Sequence, residues 1–245
     1  MTETPEPAKL SFRSDVTVDL VKHAAGDSDV LWAARVSTAG EQSLEEVSKD
    51  PERSKGLINF LMRDRHGSPF EHNSMTFFIN APIFVFREFM RHRVGWSYNE
   101  ESGRYRQLEP VFYVPGESRK LVQQGRPGKY EFVEGTGAQQ ELTTRVMEDS
   151  YRQAYASYQE MLAAGVAREV ARAVLPVGLF SSMYATCNAR SLMHFLGLRT
   201  QHELAKVPSF PQREIEMVGE RMEREWAKLM PLTHAAFNKN GRVAP

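Results

Sequence analysis

The chain is poor in cysteine and has no long apolar stretch. Cys187 stands alone among 245 residues, so no disulfide forms within the chain and a multi-cysteine metal site is impossible. The longest apolar run, TFFINAPIFVF, is interrupted by Asn80 and Pro82 and is too short to cross a bilayer. The start, MTETPEPAKL, lacks the basic-then-apolar order of a secretory signal. A reducing, cytoplasmic setting is therefore expected. Net charge is missing too: 31 Lys and Arg balance 31 Asp and Glu. That argues against a polybasic membrane binder and against a nucleic-acid coat protein. Neither a GxGxxG run nor a P-loop occurs, so a dinucleotide has to bind through some other architecture. There is no internal repeat and no low-complexity block.

Within this neutral chain, arginine is locally concentrated. Residues 91–105 read RHRVGWSYNEESGRY, and Arg87–Arg106 hold five arginines and no lysine. The planar guanidinium fork matches phosphate, whereas a lysine ammonium is a point charge. Two readings follow. Two arginines, a serine and a glutamate near one helix end hold a phosphorylated ligand; or Arg87, Arg93 and Arg106 are solvated cations in surface pairs of little energy.

Apolar periodicity predicts a helix-rich α+β domain with a few strands; the fold class expected is one such domain with a small, mostly antiparallel sheet. Strands are expected near Asp15–Leu20, at SMTFFINA and at EPVFYVP. Helices are expected from a cap at Asp27 or Ser28, over Pro51–Asp64, from Pro82 through RHRV to Gly95, over 139–164, in AREVARAVLP, through SMYATCNARSLMHFLGLR, and in REIEMVGERMEREWAKLM, ended by Pro231. Trp96–Tyr105 reads as an irregular loop, and 116–138 as a long surface excursion and candidate lid. On a helix, Arg87 and Arg91 lie four apart as neighbours. Asn188, Leu192, Phe195 and Arg199 share one side, with Arg190 and His194 opposite. That side is either an apolar stripe with polar ends or a pocket for a flat ring. His66, Glu71 and His72 in HGSPFEH do not match a two-histidine metal helix, and turn chemistry at Ser68-Pro69 explains them equally well; no metal is expected. Cys187, placed inside a helix, reads as an inert core residue. Ser102 has no accompanying base, which makes it a ligand contact before a nucleophile.

RHRVGWSYNEESGRY resembles the signature of the flavin-dependent thymidylate synthases: an RHR triplet, seven residues, then serine. AARVS (33–37), HGSPFEH, APIFVFREFMRHR, ARAVLP (171–176) and NARSLMHFLGLR are similar to further blocks of that family, in family order, from about residue 30 to 200. Here eight residues separate Arg93 from Ser102, so the Val94–Tyr98 loop carries one extra residue. Glu88 stands where some relatives carry glutamine, and the last forty residues match only loosely.

The resemblance implies reductive methylation of dUMP to dTMP, with 5,10-methylenetetrahydrofolate giving the carbon and NADPH reducing FAD. It implies a homotetramer with active sites shared between subunits, and neither nucleic-acid nor membrane binding. One catalytic domain is expected over 10–237, between a flexible tail at 1–9 and a tail at 238–245. Carried over position by position, Glu88, Arg91, Glu100, Ser102, Gly103, Arg104, Arg172 and Arg199 hold dUMP. Ser37, Ser68, Glu71, Arg91, His92, Arg93, Asn99, Asn188, Arg190 and His194 hold FAD, and Arg199 is the activating, catalytic residue. Two rivals remain: a non-catalytic nucleotide-binding module, and an RNA binder using arginines interleaved with Trp96, Tyr98 and Tyr105.

Overall fold

The structure, a computed structural model, describes residues 9–126 and 129–245. Apart from Lys9, the expected tail at 1–9 lies outside them. In chain order the elements are β1 (Ser11–Arg13), β2 (Thr17–Ala24), α1 (Asp27–Ala39), α2 (Leu44–Val47), α3 (Pro51–Arg63), a 3-10 turn at Ser68–Glu71, β3 (Ser74–Pro82) and α4 (Ile83–Phe89). There follow β4 (Trp96–Glu100), β5 (Val111–Tyr113), β6 (Val122–Arg126), β7 (Lys129–Val133), α5 (Gly137–Ala163), α6 (Arg168–Ala171) and a 3-10 turn at Arg172–Val174. The chain closes with β8 (Phe180–Cys187), α7 (Ala189–Arg199), α8 (Arg213–Leu229) and α9 (Pro231–Lys239). This is an α+β fold. The residues group into two compact units, one formed by the described residues up to Asp15, Asn80–Arg87 and Glu100–Ser182, the other by Val16–Ile79, Glu88–Asn99 and Met183–Pro245.

The first unit is built on α5. Thr136 starts this 27-residue helix with a capping box, its side chain accepting from Gln139 N, which satisfies an orphan amide of the first turn. Tyr151, Tyr155 and Tyr158, spaced four and three apart, bury one face beside Phe112, Leu108 and Leu179. Phe112 stacks on Tyr151 at 4.8 Å. The expected strand in EPVFYVP is β5; it pairs with β1 in parallel, Phe12 opposite Phe112. The 116–138 excursion contains the antiparallel pair β6–β7.

The second unit holds most of a four-stranded sheet of order β2-β3-β8-β4. Met75, Phe77 and Ile79 of β3 and Met183, Ala185 and Cys187 of β8 alternate inward. Phe78 and Tyr184 point the other way, their rings 5.3 Å apart. FSSMYATC is therefore a strand and not the start of the expected helix. Its period of two is overridden in a sequence reading by the helical pattern that follows, and the change of period falls at Asn188, which caps α7. Two other boundaries differ from expectation. Helix α4 ends at Phe89, so Arg91 lies beyond it, in a turn where His92 N bonds Phe89 O at 2.8 Å. Trp96–Glu100 is strand β4 rather than loop, because Trp96 and Tyr98 turn inward onto Phe89.

Helix α8 ends at Leu229, just before Pro231 as expected, but it is not the last helix: Pro231 opens α9 at the first helical position. Asp27 of α1 caps α9 from a distance, accepting from Leu232 N (2.8 Å), Thr233 N (2.9 Å) and Thr233 Oγ1 (2.6 Å). The anion there faces the positive end of the helix dipole. Residues 240–245, expected within a tail, are packed: Arg242 is buried and pairs with Glu223. Asp27→Ala is expected to lower stability by about 1–3 kcal/mol, the cost of stranding three donors, read as a fall in the urea midpoint with an unchanged slope.

Candidate functional site

Arg199 ends α7 and is largely enclosed. Its Nη1 donates to Glu88 Oε2 at 2.5 Å and its Nε to His92 Nε2 at 3.1 Å. Because a guanidinium nitrogen only donates, His92 Nε2 is the acceptor, and the ring carries its proton on Nδ1. Burial, with Arg199 and His194 nearby, lowers the His92 pKa to about 4. His92 is thus neutral near pH 7 and adds no second cation. Burial raises the Glu88 pKa; Arg199 opposes that shift and Glu214 adds to it. Of the five guanidinium donors, these contacts occupy two, leaving three for a ligand.

The apolar residues of α7 are not the walls of a ring pocket. Leu192 and Phe195 are fully buried, and Phe195 stacks on Phe89 at 4.7 Å and meets His92 edge-on at 4.9 Å. Trp96 stacks on Tyr98 at 5.7 Å, and the Tyr98 hydroxyl is shared between Phe89 O and His92 O. This aromatic bed fixes the main chain that carries His92. Ser97 and Asn99, the outward residues of β4, are exposed. Exposed as well are Arg91 and Arg93, which among the described residues pair with no carboxylate.

Gly95 explains how the RHR turn sits on α7. Its φ is +68°, and a Cβ there would lie 2.1 Å from Ser191 Oγ. Ser191 Oγ donates to Val94 O at 2.9 Å. Ser191 N donates to Asn188 Oδ1, and Ala189 N to Asn73 Oδ1. The Asn188 oxygen is therefore engaged as the helix cap. Gly95 and Ser191 were not among the sequence candidates, although a glycine directly after RHRV was a readable sign of a left-handed turn.

A second group surrounds Arg190. Nη1 meets Glu71 Oε1 at 2.5 Å, and Nε donates to Pro245 O at 2.6 Å. Gly67 forms the floor, since a Cβ there would come 2.6 Å from the Arg190 guanidinium carbon. Burial, then Arg190 and Arg65, lower the His194 pKa. Ser68 is exposed at the start of the 3-10 turn, and Ser37 donates to Ala34 O within its own helix. His66 stacks on Phe60 and His72 meets Trp32 edge-on, so the histidines of HGSPFEH go to separate rings. Exposed arginines, a half-buried guanidinium over a glycine floor and nearby hydroxyls are the donors a dinucleotide diphosphate requires, so this part of the chain fits FAD.

A third group belongs to the first unit. Ser102 Oγ accepts from Arg104 N at 3.3 Å, and Ser102 O accepts from Tyr105 N at 3.0 Å. That tight turn leaves the serine hydroxyl beside the backbone amide. Gly103 is buried, and a Cβ there would press on Leu108 at 3.1 Å and on the Arg172 side chain at 3.3 Å. Arg104 pairs with Glu169 at 3.1 Å in the open, a contact of little energy that an incoming phosphate displaces easily. Burial raises the Glu100 pKa, while Ser181 and Arg172 oppose the shift. Ser102, Gly103, Arg104, Glu100 and Arg172 are thus gathered in one place. Gly95→Ala is expected to destabilise the fold by about 1–3 kcal/mol, because the strained φ and the clash with Ser191 act together. Chemical denaturation checks it.

Residues 19–232 match the family described as Thymidylate synthase complementing protein. Flavin-dependent thymidylate synthases of Streptomyces avermitilis and Streptomyces coelicolor are 90% and 83% identical to this chain, each covering all of both chains. That of Tropheryma whipplei is 59% identical, over 96% of this chain and 97% of its own length. A solved structure of the UMP/dUMP methylase PolB from Streptomyces cacaoi bound with 5-Br dUMP superposes with a TM-score of 0.90 at 54% identity, covering 96% of this chain and all of its own. With that family match, and with such identity over the full length, the chain belongs to the flavin-dependent thymidylate synthases.

Proposed function

We propose that the chain methylates dUMP to dTMP, taking the carbon from 5,10-methylenetetrahydrofolate and reducing equivalents from NADPH through FAD, with Arg199 as the activating residue. The observation that carries this reading is the fixed guanidinium of Arg199, held by Glu88 and His92 with three donors to spare. Carbon 5 of uracil is a poor nucleophile. Negative charge spread from N3 and the carbonyls makes it a better one, and a cation that cannot lose its proton stabilises that charge where it develops. Neutral His92 and the Glu88 carboxylate orient the guanidinium before substrate arrives, so little reorganisation remains.

Ser102, Arg104 and Arg172 supply the hydroxyl and forked cations that suit a nucleotide phosphate, with Gly103, Glu100 and Arg91 completing the dUMP contacts. FAD, when bound, supplies hydride chemistry. Arg190 over Gly67, with Glu71, Ser68, Ser37, His92, Arg93, Asn99, Asn188 and His194, binds and orients it. The thymidylate synthases at 90% and 83% identity favour dUMP over UMP, since the UMP/dUMP methylase stands at 54%.

The two compact units act as one catalytic domain, and four chains assemble with shared sites. The sheet face carrying half-buried Phe78 and exposed Tyr184 supports self-association. Among the described residues no helix is long and apolar enough to cross a membrane.

Arg199→Ala is expected to cut dTMP formation roughly 10²–10³-fold while FAD still binds, measured by product assay beside flavin absorbance. Loss of the yellow cofactor together with activity sinks the assigned role. Cys187 is enclosed and its thiol is pushed far up by burial, which leaves no thiolate to act as a nucleophile. Cys187→Ala is therefore expected to remain folded and active, and a folded but inactive variant contradicts the cysteine-free mechanism.

A further inference from the structure

The residues after α9 make contacts that an unremarkable NGRVAP sequence does not announce. Arg242, a non-glycine residue at positive φ (55°), is buried. It reaches Glu223 through both terminal nitrogens, at 2.6 and 2.7 Å, and donates to Asn238 Oδ1 and Thr200 Oγ1. Burial alone would raise Glu223, but the hydrogen bonds from Arg242 and His234 bring it down to about 2, so the pair is charged at any working pH. Thr200 directly follows Arg199. A Cβ at Gly197 of α7 would meet Arg242 O at 3.1 Å. The main-chain oxygens of the next three residues all face guanidinium groups. Val243 O and Ala244 O accept from Arg65 Nη1 at 3.0 and 2.6 Å, and Pro245 O accepts from Arg190 Nε at 2.6 Å. Arg65 is the other non-glycine residue at positive φ among those described.

We propose that residues 242–245 are a positioning strap, anchored by the buried Arg242–Glu223 pair, whose main-chain oxygens set Arg65 and the flavin-binding Arg190. Arg242 seats the strap against Thr200, at the end of the helix that carries Arg199. Glu71 alone leaves the Arg190 guanidinium free to swing about a single contact. Pro245 O supplies a second, and two contacts from different elements fix the plane of the fork. Since the three contacts to Arg65 and Arg190 come from main-chain oxygens, the strap depends on the path of the chain rather than on side-chain identity at 243 and 245.

The inference rests on Arg190 binding FAD, so that assignment is tested beside it. The full chain is stripped of flavin and titrated with FAD by fluorescence. Arg190→Ala, deletion of 243–245, deletion of Pro245 alone, and the double variant V243A/P245A, which keeps every main-chain oxygen, are compared. Both deletions are expected to weaken FAD binding about tenfold, the scale of one charge-assisted hydrogen bond. V243A/P245A restores the affinity, and adding a deletion to Arg190→Ala costs nothing more, because the two act through one group. Should the longer deletion fail to fold, the removal of Pro245 decides. Deletions within twofold of the full chain, while Arg190→Ala binds weakly, overturn the strap and leave the flavin site standing. A V243A/P245A protein as weak as the deletions overturns it as well, by assigning the effect to side chains. An Arg190→Ala protein with full affinity removes the flavin-site assignment and the strap with it.

Discussion

The ion pair between Arg199 and Glu88, with His92 accepting from the same guanidinium, is the constraint around which the second unit is arranged. A permanent cation in an enclosed place needs a compensating anion and satisfied donors. Glu88 provides the first, and neutral His92 takes a donor without adding charge. The two partners come from the end of α4 and the turn after it, so this turn must lie against the C-terminal end of α7. Gly95, the inward aromatic residues of β4 and Phe195 follow from that demand.

Helix α7 is held at both ends by different chemistry. At its start Asn188 caps it, Asn73 receives the Ala189 amide, and Ser191 ties it to the turn at Val94. At its end Thr200 bonds back to Leu196 O and receives Arg242, while Ser209 Oγ donates to Thr200 O at 2.5 Å. A rigid helix carrying Asn188, Arg190, His194 and Arg199 fixes the spacing of four side chains assigned to two ligands. Such precision is easier on a braced helix than on a loop. The first unit solves a separate problem with a tight turn: Gly103 lets Arg172 and the Ser102 loop approach closely without ordering a long side chain.

Much of this was legible in the sequence. The RHR-to-SGRY stretch and NARSLMHFLGLR pointed to a family that residues 19–232 confirm. The amphipathic spacing of α3, α5 and α8 located those helices to within a few residues. Boundaries failed where two periods meet. FSSMYATC runs into a helical pattern without a glycine or proline between them, and the strand was read as helix. RHRV prolongs the α4 pattern, although the ring packing of Trp96 and Tyr98 ends it at Phe89. Pro231 marks the end of α8 correctly, but the same proline also opens α9, because proline both ends helices and begins them.

Composition and pattern by themselves determined the α+β class, the absence of a disulfide within the chain and the exclusion of Cys187 as half of a redox pair, and, through family likeness, they pointed to the candidate site residues. The folded chain alone decided which residues touch: that Glu88 and His92 share Arg199, that Leu192 and Phe195 are core rather than pocket, and that the main-chain oxygens of 243–245 reach Arg65 and Arg190. The physical reason is that side-chain type and local period are properties of neighbours along the chain. A hydrogen bond between residues 55 or 178 positions apart exists only once packing has closed the loop, and main-chain oxygens, the same in every residue, leave no mark in the letters.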